Sequence, residues 1–241
     1  MGREGAYGHA VRSLQLLLEA YCGEPLPEWP VFAATLKFIH LAPNEVLFRA
    51  GDVHPFLYLV QSGLLRIQGT TRSGHTSTIF FSEEGDVLAS MTALSPRAAH
   101  RVFTRGLHPR EQDLRPAVEG RALHTASAIE RSTLLRADYR VIEQLARLHP
   151  AWGRVSASFS VVYAMTLQAD AISSRDAPEE RYRAMLSEHP DLISRLTQRD
   201  LASYLNVTEV TMSRMVKRVR EEDAGTDTDD GSLDDPGTMA G

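Results

Sequence analysis

Cysteine is nearly absent from this sequence, and that scarcity excludes several kinds of protein. Cys22 is the only cysteine among 241 residues, so one chain can hold neither an internal disulfide framework nor a four-cysteine iron–sulfur cluster. Apolar runs are only a few residues long, which is too short for a membrane span. The N-terminal residues lack the basic start and apolar stretch of a signal peptide. We therefore predict a cytoplasmic protein with no membrane partner.

Clustered metal ligands are also missing from the sequence. Nine histidines are present, but His75, His100, His108 and His124 show none of the spacings that metal sites use. A cupin-type enzyme would need a His-x-His pair and a Glu on neighbouring strands to hold its metal, and His54 stands alone in the strand region. We predict no metal, no cofactor, no catalytic residue and no enzymatic activity. A cupin-type β-roll enzyme is kept only as an alternative.

Positive charge is scarce in the sequence as a whole, because the formal net charge is −5. The deficit is local. Residues 221–241 carry −8 with no Lys or Arg, whereas residues 1–220 carry +3. Within residues 195–220, six basic residues face only Asp200 and Glu209, so this stretch carries +4. Such an excess suits contacts with phosphate groups, while the Asp-rich and Gly-rich segment 223–241 is predicted to be a disordered acidic tail.

The segment 196–219 has the pattern of two short helices joined by a tight turn. Thr197 can cap the first helix, and Asp200 stands three residues later as its capping-box partner. Leu201 and Leu205 are four residues apart and share one helical face. This pattern predicts a first helix that packs through one apolar face.

The second helix of this pair is predicted to begin after a turn at Asn206. Asn tolerates the left-handed conformation that ends helices, Val207 is predicted to be a buried plug, and Thr208 can cap the next helix. The apolar positions of that helix are Met212, Met215 and Val219. Its outer faces then hold Glu209, Val210, Thr211, Ser213, Arg214, Lys217 and Arg218. The pattern is typical of a helix-turn-helix, whose second helix enters the DNA major groove.

The residue types on this predicted recognition helix, residues 208–219, suit DNA. Arg214 can read guanine O6 and N7 in a bidentate manner, and Glu209 can accept from a cytosine amino group or stabilise the helix N-terminus. The remaining polar residues suit bases or the phosphate backbone. The predicted DNA-binding residues are Thr197, Gln198, Thr208, Glu209, Thr211, Ser213, Arg214, Lys217 and Arg218. An ordinary helical hairpin with a charged surface is the alternative.

From about Leu41 the sequence changes to short β-type runs separated by Gly turns. Four or five such runs at roughly ten-residue spacing indicate an antiparallel sandwich or roll. Residues 97–121 break this rhythm, residues 127–135 resume it, and residues 138–148 are predicted to form a helix.

Helices are predicted on both sides of the β region. Residues 9–22 show a helical apolar stripe, and a short helix is predicted to end at Phe38. Residues 151–174 form a long predicted helix that is either a core helix or a dimer seam, and we favour the seam. Its predicted dimer residues are Val155, Phe159, Val162, Met165 and Ala169.

The order of these parts resembles the Crp/Fnr family of bacterial transcription regulators. The resemblance covers roughly residues 41–220 and is carried by residues 50–52, 58–67, 181–190, 196–208 and 211–214. It implies an α+β fold with an N-terminal antiparallel, cyclic-nucleotide-binding-like β-roll, a long dimerisation helix and a C-terminal winged helix-turn-helix. The predicted parts are a helical segment at 1–40, a β-roll at 41–148, a dimerisation helix at 149–175, a DNA-binding domain at 176–222 and the tail at 223–241.

The resemblance also implies partners and an effector site. It implies a homodimer on two-fold symmetric double-stranded DNA, with RNA polymerase as a further candidate partner. Cyclic-nucleotide binders of the family have Gly-Glu-Leu and then Arg-Ala/Ser-Ala in a phosphate-binding segment. Here Ala89 and Ser90 replace the Gly and the Glu that holds the ribose, while residues 97–99 keep the Arg that suits a phosphate. The predicted effector-binding residues are Ser90, Arg97 and Ala98.

Without the ribose-binding Glu, we expect a different effector or none, and a cyclic nucleotide stays an alternative. An effector-independent signalling or scaffold module of the same fold is the alternative function.

Overall fold

The computed structural model describes residues 3–71, 73–94 and 121–226. The chain divides into two compact units, Met1–Ile172 and Ser173–Gly241. The predicted boundary between the long helix and the DNA-binding part, at residue 175, lies close to this division. None of the helices in the described ranges combines the length and the apolar character that crossing a membrane would require.

The first unit has eight strands in its described residues, with two helices before them, one short helix between the sixth and seventh strands, and two helices after them. Its elements are α1 (Arg3–Cys22), α2 (Trp29–Ala33), β1 (Lys37–Leu41), β2 (Val46–Phe48), β3 (Phe56–Ser62), β4 (Leu65–Thr70), β5 (Thr76–Ser82), β6 (Val87–Ala89), α3 (Met91–Leu94), β7 (Thr125–Ala128), β8 (Ser132–Asp138), α4 (Tyr139–Leu148) and α5 (Pro150–Ser173).

The strands form two four-stranded sheets with the orders β1-β8-β3-β6 and β2-β7-β4-β5. All the pairs are antiparallel, which confirms the predicted antiparallel β fold. Strand β3 is buried on both faces. Its alternate side chains point to opposite sides of the sheet, and each side is covered. Leu57 and Leu59 pack in the cluster that includes the helices, whereas Tyr58 and Val60 pack in the cluster between the two sheets.

The start of the sheet lies earlier than the sequence predicts. The short helix α2 ends at Ala33, and Lys37 already pairs with Arg136 in β1. The prediction of a helix that continues through Phe38 is therefore wrong. The predicted boundary between residues 40 and 41 falls inside this strand.

The first turns of α5 belong to the core of the first unit. Trp152 is fully buried, and its ring stacks parallel to that of Trp29 at a centroid distance of 6.4 Å. Its indole Nε1 donates to the carbonyl of Pro27 at 2.8 Å. Val155 is also completely buried in this cluster. It was predicted on the dimer seam, and that assignment is wrong, because an apolar stripe does not reveal what covers it.

The second unit is built from four helices in its described residues, after the last residue of α5. They are α6 (Pro178–Glu188), α7 (Pro190–Arg195), α8 (Gln198–Leu205) and α9 (Glu209–Thr226). Arg181 ties α6 to α8, since its guanidinium stacks 4.9 Å from the centroid of the Tyr204 ring and donates to the Tyr204 carbonyl at 3.4 Å. The buried Tyr182 and Met185 give α6 its apolar face.

Two features of the second unit differ from the predicted outline. Helix α9 continues to Thr226, so the first residues of the predicted tail, 223–226, are helical. The rest of that tail, 227–241, lies outside the described residues. Between residues 173 and 226 the structure contains helices and turns but no strand, so the wing named in the prediction has no strand there.

Candidate nucleic-acid interface and effector cavity

Helix α8 begins with the capping arrangement that the sequence predicts. Thr197 Oγ1 accepts from the backbone N of Asp200 at 3.2 Å, and Asp200 Oδ2 accepts from the backbone N of Thr197 at 3.1 Å. Two of the N–H groups at the helix start are thereby satisfied. Asp200 is buried, so this capping box is shielded from solvent.

The turn between α8 and α9 is set by Asn206, whose φ of 57° lies in the left-handed region. Thr208 then caps α9, because its Oγ1 accepts from the backbone N of Thr211 at 3.1 Å. Both features confirm the sequence interpretation. Val207 differs, because it is half-exposed rather than a buried plug. The turn is therefore held by backbone conformation and capping more than by an apolar side chain.

Helix α9 separates an apolar face from a polar one. The buried side chains are Met212, Met215, Val216 and Val219. The nine predicted DNA-binding residues, Thr197, Gln198, Thr208, Glu209, Thr211, Ser213, Arg214, Lys217 and Arg218, are all exposed. The start of α8 and the outward face of α9 thus form a largely polar exposed surface.

Several charged residues on this surface have partners within the second unit. Arg218 Nη2 lies 3.2 Å from Glu179 Oε2, and Lys217 Nζ lies 3.7 Å from Glu221 Oε1. Arg214 differs, since it forms no ion pair with any residue of the described ranges. Its guanidinium is therefore available to a partner outside the chain.

Val210 is an apolar residue of this surface that the predicted site left out. It is an exposed apolar side chain in the first turn of α9, with 62% of its surface accessible. The sequence signal was present, because Val210 falls on the outer face in the same helical pattern that places Arg214 there.

A second candidate site lies within the first unit, between the sheets and α5. It is a cavity of about 290 Å³ lined by β5, β6, the α1 residue Tyr21 and the second half of α5. Aromatic side chains from Phe80, Phe159 and Tyr163 form much of its wall. Burial raises the pKa of the Tyr163 hydroxyl, so that group is a neutral hydrogen-bonding partner at neutral pH.

Carboxylates are the charged groups of the cavity lining. Asp86 and Asp170 line it, and burial raises the pKa of Asp86. The described residues that line it include no Lys, Arg or His. The described part of the lining therefore supplies no cation to pair with a phosphate.

Ser90 is the one predicted effector residue within the described ranges, and it is not among the residues that line this cavity. Ser90 is buried and borders a neighbouring void of only about 10 Å³, next to His124 and Tyr163. That volume is the size of about one water molecule. Arg97 and Ala98, the other two predicted effector residues, lie outside the described residues. The sequence missed the cavity because its walls come from segments far apart in the chain.

The second half of α5 carries exposed apolar side chains. Val162 and Met165 of the predicted dimer seam are 41% and 64% exposed; Ala169 is exposed and Phe159 half-buried. Phe159 packs at a centroid distance of 4.8 Å from the ring of Tyr21 in its own chain. Exposed apolar side chains that cluster on one helix are typical of a protein–protein contact.

The chain is similar to known proteins in one stretch of its sequence and in its fold. Residues 38–106 match the family model of the cyclic nucleotide-binding domain. FixK2 from Bradyrhizobium japonicum is 17% identical with a TM-score of 0.57, and the match covers 84% of this chain and 89% of FixK2. The c-di-GMP-responsive global regulator CLP of Xanthomonas campestris is 16% identical with a TM-score of 0.56, over 78% of this chain and 88% of CLP.

A Crp/Fnr family regulator structure from Eubacterium rectale gives a similar result. It is 14% identical with a TM-score of 0.54, over 80% of this chain and 82% of its own. No curated protein sequence matches the chain significantly. Residues 38–106 thus resemble the cyclic nucleotide-binding domain, and the chain shares its fold with solved transcription regulators of the Crp/Fnr family.

Proposed function

We propose that the chain is a dimeric, sequence-specific DNA-binding transcription regulator, with residues 208–219 as the recognition helix in the major groove. The outward face of α9 carries this proposal. Its residues are exposed, it begins at a capped helix N-terminus, and it presents Arg214 with no ion pair to any described residue. A helix of this kind in a helix-turn-helix contacts base edges through its N-terminal residues.

The polar residues divide into two roles on such a helix. Arg214 suits bidentate recognition of guanine. Glu209 and Ser213 lie near the helix start, where their side chains can contact base edges or phosphates. Lys217 and Arg218 suit phosphate contacts, which position the protein without reading sequence. The hydroxyls of Thr197 and Thr208 cap the two helices, and the Thr211 hydroxyl is hydrogen-bonded to that of Thr208, so the main contribution of all three is to fix the geometry of the helix pair.

The exposed apolar side chains in the second half of α5 support the proposed dimer. Val162, Met165 and Ala169 would pack against the same residues of a second copy, since a two-fold contact uses one patch on both subunits. Two recognition helices related by a two-fold axis would read a two-fold symmetric site. As a DNA-binding regulator, the protein would act in the cytoplasm, and RNA polymerase would be a further partner there.

The first unit would act as the sensor. Any effector is proposed to bind in the cavity between β5, β6 and α5 rather than at Ser90, because the void at Ser90 is too small for an organic molecule. The carboxylates and aromatic rings of the cavity support an effector other than a cyclic nucleotide. An effector-independent signalling or scaffold module is the second candidate function, and the exposed apolar half of α5 is the observation that favours it.

Salt-dependent binding to duplex DNA separates these two functions. A high-affinity duplex would be selected from random DNA, and its affinity would be measured by fluorescence anisotropy over a range of salt concentrations. Each phosphate contact should contribute about −0.9 to the slope of log K against log salt. A folded dimer that binds no duplex at low salt would contradict the regulator and leave the scaffold module.

The variant Arg214→Ala tests the base contact itself. It should weaken binding to the selected duplex by about 1–3 kcal/mol and relax the preference for one base pair. Arg131→Ala, at an exposed arginine of the first unit, should bind like the wild type. An unchanged sequence preference in Arg214→Ala would show that Arg214 does not read a base.

A further inference from the structure

Val210 conflicts with the local preferences of its helix position. It is the second residue of α9, and the first turn of a helix favours acidic side chains. A β-branched residue is a poorer helix former than Ala or Leu. Because Val210 is 62% exposed, it gains little from packing in return. A local conflict without a compensating gain is expected at functional positions.

Helical geometry places Val210 at the centre of the outward face. The buried face of α9 consists of Met212, Met215, Val216 and Val219. At about 100° per residue, Val210 lies about 170° from the mean direction of that face, the farthest of any residue in the first two turns. Arg214 and Lys217 lie about 150° away, one on either side of it. When the outward face of α9 is turned towards a DNA groove, Val210 is therefore the residue nearest to the groove floor.

We propose that Val210 reads the C5-methyl group of a pyrimidine in the major groove. The proposal rests on the DNA-binding function proposed above. Thymine presents this methyl group in the major groove, where an apolar side chain distinguishes it from other bases. The same methyl group is present in 5-methylcytosine. Valine offers two methyl groups and no hydrogen-bonding atom, so it gains nothing from the amino and carbonyl groups that mark the other bases.

Arg214 fixes where the methyl group should be found. It is four residues after Val210, which is about 6 Å along the helix axis. Because base pairs are spaced 3.4 Å apart along the duplex, the two side chains can reach bases within about two base-pair steps. The half-site should therefore contain a guanine and a thymine separated by at most about two steps.

The first experiment selects bound sequences from random duplex DNA with the wild type and with Val210→Ala. The wild-type motif should contain a thymine beside the guanine, and Val210→Ala should lose the thymine preference while keeping the guanine. The variant is expected to fold, because Val210 is exposed and Ala is the better helix former. Val53→Ala, at a valine of the first unit that is 53% exposed, is the matched control and should select the wild-type motif.

The second experiment removes the methyl group from the DNA alone. Replacing the selected thymine by uracil should weaken wild-type binding about three- to fivefold, the change expected from burying one methyl group. Val210→Ala should bind the thymine and uracil duplexes equally. Duplexes with cytosine and 5-methylcytosine at the same position identify the source of the methyl group. Tighter binding of 5-methylcytosine extends the contact to both methylated pyrimidines, and no difference restricts it to thymine.

Failure of this inference is distinct from failure of the proposed function. If the wild type binds duplex DNA but uracil replaces every thymine without loss, the methyl contact is wrong and the DNA-binding function stands. If Val210→Ala is as sensitive to uracil as the wild type, another residue reads the methyl group. If no duplex is bound at low salt, the regulator itself is wrong and the contact is wrong with it.

Discussion

Glu179 Oε2 lies 3.2 Å from Arg218 Nη2, so a carboxylate in the first turn of α6 holds a guanidinium of α9. The other oxygen of Glu179 lies 3.3 Å from Arg183 Nη2, and Arg183 in turn pairs with Glu222 near the end of α9. The bonds to Glu222 and Glu179 raise the pKa of Arg183. Four charged side chains thus connect the start of α6 with the recognition helix.

Neutralising Glu179 should release Arg218 for DNA. In Glu179→Gln, the guanidinium of Arg218 loses its carboxylate partner and can approach a phosphate group. We expect tighter duplex binding at low salt and a slope of log K against log salt that is steeper by about one. Stability should change by no more than ~1 kcal/mol, because both side chains are partly exposed. Anisotropy titrations at several salt concentrations measure the slope.

Glu180→Gln is the matched control for this prediction. It removes the same charge from the same helical turn, but Glu180 accepts from the backbone N of Ala177 rather than from Arg218. If only the change in net charge matters, both variants should bind duplex DNA equally more tightly than the wild type. That result would show that Arg218 does not contact the DNA backbone.

Met165 should be critical for dimerisation. Met165 is 64% exposed, compared with 41% for Val162 of the same seam, and a carboxylate buried there without a partner costs ~2 kcal/mol or more. Met165→Glu should therefore raise the dimer dissociation constant at least about 30-fold. Sedimentation velocity over a concentration series gives this constant for wild type and variant.

Val31→Glu provides the comparison, because Val31 is an exposed apolar residue on α2 with 51% of its surface accessible. It should dimerise like the wild type. If the wild type is a dimer and Met165→Glu has the same dissociation constant, the dimer contact does not include Met165.

The sequence predicted the helix-turn-helix closely because its signals are local. The capping box of Thr197 and Asp200, the left-handed conformation of Asn206 and the N-cap at Thr208 each depend on residues within four positions of one another. Short apolar runs separated by Gly turns also predict the strands. Local signals specify elements, and both sets of elements are confirmed.

Features that depend on distant residues could not be predicted in this way. The cavity joins Tyr21, Phe80 and Tyr163, and the ion pair joins Glu179 to Arg218; neither pairing leaves a periodic signal. Val155 shows the same limit, because its stripe is equally apolar whether its own core or a second subunit covers it. Which surface covers an apolar face is a property of the folded chain.

Asn206 should contribute stability through its backbone conformation. A β-branched residue is strained at a φ of 57°, so Asn206→Val should destabilise the helix pair by about 1–2 kcal/mol. Glycine adopts this conformation freely, and Asn206→Gly should be equal to the wild type or slightly more stable. Hydrogen exchange of the α8 and α9 amides measures both variants. Equal protection in the Val and Gly variants would show that the turn relaxes without cost.

His54 should make the stability of the first unit depend on pH. Its Nε2 is 2.9 Å from the Tyr58 hydroxyl, and its ring lies 4.5 Å from that of Phe48 between centroids. Burial, together with the charge of Arg136, lowers the pKa of His54 to about 4. The same burial raises the pKa of Tyr58, so both groups are neutral in the folded protein near neutral pH.

The direction of the effect follows from proton binding. The unfolded chain has a histidine pKa near 6.5, so between about pH 6.5 and pH 4 it binds a proton that the folded protein does not. The stability due to neutral His54 is therefore complete above pH 6.5 and is lost as the pH falls towards 4. Compared with His54→Gln, the wild type should lose about 1–3 kcal/mol more of its unfolding free energy between pH 7 and pH 4.

Urea unfolding of wild type and His54→Gln at a series of pH values measures this difference, and NMR titration of the His54 ring measures its pKa directly. Gln cannot take up a proton in this range, so its curve supplies the contribution of all other groups. Parallel curves for the two proteins, or a His54 ring that titrates near pH 6.5 in the folded chain, would show that water reaches the ring and that burial does not hold it neutral.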